Sequence, residues 1–132
     1  MKISELDPRR VIALSVGDSL AAAAGAMSEE DIGAVAVFDS HGLRGIISER
    51  DLIRALGDEI DLEGEEVDDY MTTTAVLIEE DRTLEDAILQ MDEHGIRHLI
   101  VAQSGDPVGM ISVRDVIAAL AKAAASRSVS VS

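Results

Sequence analysis

Two copies of one short pattern, Ser48-Glu49-Arg50-Asp51 and Ser112-Val113-Arg114-Asp115, carry most of the chemistry this sequence offers. A carboxylate has room for several hydrogen-bond donors, and a serine hydroxyl both donates and accepts. At a helix start these groups stand beside unpaired backbone N–H groups and the positive end of the helix dipole, which suits an anion. The same Ser-x-x-Asp spacing is also a capping box, in which Ser accepts the amide three residues on and Asp reaches back to the cap amide. The residues by themselves leave both roles open, and the two are compatible.

Other chemistries find less support. His94 and His98 have the i, i+4 spacing of two metal ligands, but Gly95 and a change to strand between them break the helix that spacing needs. Residues 58–69 are rich in Asp and Glu without the alternating ligand order of an EF-hand, and they read as a solvated connector. Met27, Met71, Met91 and Met110 read as gap-filling core residues. The absence of cysteine excludes disulfides, thiolate zinc sites and Cys nucleophiles. No Ser/His/Asp triad, P-loop or placed carboxylate pair stands out, so neither enzyme activity nor a metal or tightly bound cofactor is expected.

Composition narrows the partners. The chain has 132 residues, 47% hydrophobic, and a formal net charge of -15, which gives one domain or two very small ones with enough apolar surface for a core. That charge repels nucleic acid, and with 2% aromatic residues the stacking surfaces of single-strand binders are missing. No run approaches the roughly 18–20 apolar residues of a membrane span, and the first residues lack the apolar core of a signal peptide, so a cytoplasmic protein without membrane contact is expected.

The elements that must hold the two Ser-x-x-Asp patterns repeat with them. Asp51 recurs as Asp115, and the same shift of 64 residues, without a gap, pairs Leu20 with Leu84, Met27 with Met91, Ile32 with Ile96 and Val37 with Val101. About 15 of roughly 48 aligned positions are identical, so the chain is a tandem duplication. In the second copy, Ala75-Val76-Leu77-Ile78 reads as a strand and Thr83 as the cap of a helix with an apolar stripe of Leu84, Ala87, Ile88 and Met91, ended by Gly95. A strand from His98 to Ala102, a turn over 104–107 and a strand from Val108 to Ile111 follow. Ser112 then caps a last helix with apolar positions Val116, Ile117 and Leu120. In the first copy Ser19 and Ser48 take the cap positions and Ala34 to Phe38 the middle strand. The predicted fold is α/β (α+β), two tandem β-α-β-β-α units over 1–60 and 71–125, a linker over 61–70 and a frayed tail over 126–132. A unit this small buries too little alone, so the two are expected to pack sheet to sheet about a pseudo-two-fold axis.

The ungapped repeat, the run Ile96-Arg97-His98-Leu99-Ile100-Val101, and the duplicated junction Gly45-Ile46-Ile47-Ser48-Glu49-Arg50-Asp51 and Gly109-Met110-Ile111-Ser112-Val113-Arg114-Asp115 closely resemble a CBS-domain pair, or Bateman module, over residues 3–122. The resemblance implies a stand-alone regulatory, energy-sensing module that binds adenosine-containing ligands (AMP, ADP, ATP, S-adenosylmethionine or NAD(H)) in clefts between the units. It assigns Asp51 and Asp115 to ribose hydroxyls and Ser48 and Ser112 to phosphate, with Arg50 and Arg114 in support. Val11 and Ile12 in one unit and Thr74, Ala75 and Val76 in the other resemble residues that flank the base. His98, with Arg97, resembles basic residues that reach phosphate, whereas the first copy has Gly33 and Ala34 there, so the Asp115 site is the better fit to a charged nucleotide. The approach Asp69-Tyr70-Met71-Thr72 also fits the family only before the second copy. The expected assembly is a homodimer whose geometry a partner protein reads. The alternative is a ligand-free dimerisation or scaffold module in which both patterns are only caps.

Overall fold

The computed structural model describes residues 1–6, 8, 11–73 and 75–131, the last five as backbone. They form two compact units, Val11–Ala75 and Val76–Ser132, the second completed by Met1–Arg10. Each unit is a three-stranded sheet with two helices.

In the first unit the order is β1 (Ala13–Ser15), α1 (Leu20–Glu30), β2 (Ala34–Asp39), β3 (Gly42–Ser48) and α2 (Glu49–Gly57). The central strand β2 pairs parallel to β1 and antiparallel to β3. Helix α1 starts where the Ser19 hydroxyl accepts the Ala22 amide. Leu20, Ala23 and Met27 of α1, Leu52 and Ala55 of α2, Val35 and Val37 of β2 and Ile47 of β3 meet in one buried cluster. Alternate strand positions face the helices because successive strand side chains point to opposite faces.

The second unit repeats this with β4 (Leu77–Glu79), α3 (Leu84–His94), β5 (His98–Gln103), β6 (Asp106–Ser112) and α4 (Val113–Val131). The shift of 64 residues holds down to single hydrogen bonds. The Ala36 amide donates to the Ile12 carbonyl as the Ile100 amide does to Val76, and both central strands carry a register break at the same place. Thr83 caps α3 with Asp86 in a full capping box, and Gly95 closes it in the left-handed region at φ 63°.

Several boundaries differ from the sequence expectations. The strand expected over Ala75–Ile78 is Leu77–Glu79, since Val76 is the first residue to reach β5, through its carbonyl, and the pairing runs on to Glu79. The turn expected over 104–107 is two residues long, because Asp106 and Pro107 already pair with Gln103 and Ala102. Ile117 is 56% exposed; Val113, Val116, Ala119 and Leu120 line the core side of α4 instead, with the small Ala119 on that face. Helix α4 continues through Ser126 to Val131, where neither Gly nor Pro interrupts it.

The segments that precede each repeat are structural. Val67 is 0% exposed in the first unit's core, with Ile60 and Leu62 packed against it, and the Leu20 amide donates to the Glu65 carbonyl. Thr72 adds to the outer edge of β3 by two backbone bonds with Ile46. In the second unit Ile3 is equally buried, among Ile78, Leu84 and Leu99, and its amide donates to the Arg82 carbonyl. No described helix is long and apolar enough to cross a membrane.

Candidate ligand site at the strand-to-helix junctions

Sheet register brings three predicted pieces of each unit to one end of its sheet. In the first unit Ser48 closes β3 directly opposite Ala34, the first residue of β2. Ile12 lies beside the same end, its carbonyl bonded to Ala36. The Glu49 amide donates to the Gly33 carbonyl, which ties the start of α2 to the loop before β2. Val11 and Ile12 are half-buried there.

At the head of α2 the capping box is complete. The Ser48 amide donates to Asp51 Oδ2 at 2.9 Å, the Ser48 hydroxyl donates to the same oxygen at 3.0 Å, and the Asp51 amide approaches the Ser48 Oγ at 3.4 Å. Asp51 is 7% exposed, the one buried charged residue among the described residues. Its other oxygen, Oδ1, lies 3.7 Å from the Arg54 guanidinium. Arg50 is exposed.

The second unit places His98 opposite Ser112 in the register, so the predicted basic residue and the predicted cap are direct neighbours. The Val113 amide donates to the Arg97 carbonyl, the counterpart of Gly33. Asp115 Oδ2 accepts the Ser112 amide at 3.0 Å, and Ser112 Oγ accepts the Asp115 amide at 3.1 Å. Asp115 is more open than Asp51, and Arg114 is exposed. Ala75 and Val76 are half-buried at this end of the sheet, and Thr74 lies outside the described residues. The bonds that hold these groups are the same in kind in both units, whereas the load on the two carboxylates differs.

The His94–His98 pair is divided between the end of α3 and the start of β5, and no group of three or more potential metal ligands occurs among the described residues. Arg54 is the residue near a junction that sequence reasoning passed over. Its signal was the i, i+3 spacing from Asp51 on a helix, together with Ala118 at the matching place of the other copy.

The CBS-domain profile matches residues 3–58 and 67–122, one match for each copy. The chain belongs to the CBS-domain family. CBS domains are generally regulatory modules. An uncharacterised 17.7 kDa protein of Acidianus ambivalens is 34% identical over 121 residues, covering 90% of this chain and 73% of that one. The chain spans only about a third of the length of two other curated relatives. Among solved structures, a protein with CBS domains from Burkholderia ambifaria superposes with a TM-score of 0.85 at 26% identity, covering 91% of this chain and 93% of the other. The CBS-domain protein PAE2072 of Pyrobaculum aerophilum, solved with AMP, gives 0.79 at 24% identity over 87% and 89% of the two chains. The CBS-domain pair of protein MJ0100, solved with 5'-methylthioadenosine and S-adenosyl-L-methionine, gives 0.82 at 20% identity over 92% and 97%. These likenesses bear out the pair of CBS units and the mixed α/β fold.

Proposed function

We propose that this chain is a regulatory module that binds an adenosine-containing ligand at its strand-to-helix junctions and passes occupancy to a partner protein. The observation that carries the reading is the Asp115 junction. A carboxylate that accepts one hydrogen bond among the described residues stands in the first turn of α4, near the strand that begins with His98. A carboxylate of this kind accepts both hydroxyls of a ribose, and the N-terminal end of α4 with a neighbouring histidine favours a phosphate. AMP, 5'-methylthioadenosine and S-adenosylmethionine, the ligands in structures of like fold, share the ribose and differ in the group beyond it. In a chain of net charge -15, local donors of this sort are needed to hold an anion at all. Binding shifts the geometry of a homodimer only to the extent that the ligand prefers one state over the other.

The test is thermal unfolding followed by circular dichroism, with AMP, ADP, ATP, S-adenosylmethionine, 5'-methylthioadenosine and NADH each in excess. A ligand at about 100 times its dissociation constant adds roughly 2.7 kcal/mol, a shift of several degrees for a domain of this size. One compound or a small group shifts the transition if the reading holds, and a flat response to all of them defeats it. The complete caps at both junctions support a second reading, a dimerisation or scaffold module in which Ser and Asp only hold helix ends. A flat ligand panel from a protein that sediments as a stable dimer would favour it.

A further inference from the structure

The two junctions share a sequence pattern but not a state of occupation. Asp51 Oδ2 already accepts the Ser48 amide and the Ser48 hydroxyl, and Oδ1 faces the Arg54 guanidinium at 3.7 Å. Asp115 accepts the Ser112 amide alone among the described hydrogen bonds, and no arginine pairs with it among the described residues. The position that matches Arg54 under the 64-residue shift is Ala118, which carries no donor. A carboxylate has about four acceptor directions. At Asp51 most are taken by the chain itself, whereas at Asp115 the described residues take one and leave most to a ligand.

We propose that Arg54 determines specificity between the two junctions: it competes with a ligand's hydroxyls for the Asp51 carboxylate, so that the Asp115 junction is the tighter site. This rests on the reading that the junctions bind an adenosine-containing ligand. The competition is reversible, because the Arg54 side chain is 69% exposed and can swing away into solvent. The chain thereby holds one strong and one weak site on two copies of the same Ser-x-x-Asp pattern.

The experiment is calorimetric titration of the full chain with AMP, repeated with 5'-methylthioadenosine, which has no phosphate to attract an arginine. Wild type should show two unequal sites, the tighter one lost in Asp115→Asn. Since an exposed ion pair is worth at most about 1 kcal/mol, Arg54→Ala should tighten the weaker site by about two- to fivefold for both ligands, and Ala118→Arg should weaken the tighter site by a similar factor. Tightening on removal of a positive charge is a result that a merely structural role for Arg54 would not produce. Circular dichroism confirms that each variant is folded. Two equal sites, loss of the tighter site in Asp51→Asn rather than Asp115→Asn, or no change at the weaker site in Arg54→Ala overturns the inference and leaves the binding reading standing. An absence of binding in both wild type and Arg54→Ala overturns both.

Discussion

Arg82 and Arg44 each hold an aspartate below the usual carboxylate range. At Asp86 the main cause is the hydrogen bond from the Arg82 guanidinium, helped by the amide and hydroxyl of Thr83. At Asp39 it is the Arg44 guanidinium, then the His41 amide. An acid whose value is lowered by folding stabilises the native state fully above its unfolded value of about 3.9, and that contribution is lost as pH falls through the lower folded value. Urea unfolding measured between pH 5 and pH 3 should therefore show stability falling with pH, and Asp86→Asn should flatten the dependence; an unchanged slope in the variant would contradict the assignment. The Ser-x-x-Asp junctions were legible in the sequence at this scale because a cap is a local arrangement. The unequal load on their carboxylates was not, since it depends on a third side chain and on burial.

Gly45 and Gly25 show how an element's surroundings decide what a side chain costs. A Cβ on Gly45, in β3, would stand 2.5 Å from the Thr72 carbonyl oxygen and 2.9 Å from the Met71 sulfur, where the added edge segment crosses. A Cβ on Gly25, inside α1, would meet nothing within 4 Å. Gly45→Ala should lower the unfolding free energy by about 1–3 kcal/mol through overpacking. Gly25→Ala should raise it by roughly 0.5–1 kcal/mol, because alanine is the better helix former. Denaturant titrations of the two variants read both signs, and a stabilised Gly45→Ala would disprove the close approach. Helix starts at Ser19, Ser48 and Thr83 and the end at Gly95 followed from the sequence, since caps and left-handed glycines act within a few residues. The face of α4 did not: its periodicity admits either Ile117 or Ala119 beside Val116, and packing with the sheet and Ile3 selects Ala119. Strand limits likewise depend on how far the neighbouring strand reaches.

The whole chain exchanges its leading segments: Met1–Arg10 completes the unit that starts at Val76, and the acidic stretch after α2 closes the unit that starts at Val11. Duplication was plain in the sequence because identity survives at a fixed shift. The exchange was not, because a buried Val67 among acids looks like a connector until its neighbours in space are known. The charge of -15 is self-repelling, and raising salt from about 0.01 M to 1 M shortens the screening length from about 30 Å to about 3 Å. The melting temperature should rise over that range, and a falling one would mean that the few ion pairs outweigh the repulsion. The most direct test of the central claim is equilibrium dialysis of labelled AMP against wild type and Asp115→Asn. A charge-assisted hydrogen bond is worth about 1.5–3 kcal/mol, so the tighter site should weaken at least about tenfold in the variant, leaving the weaker Asp51 site as the one that fills first, with the melting temperature nearly unchanged. Equal binding by the two proteins, or no saturable binding by wild type, would contradict a ligand site at Asp115.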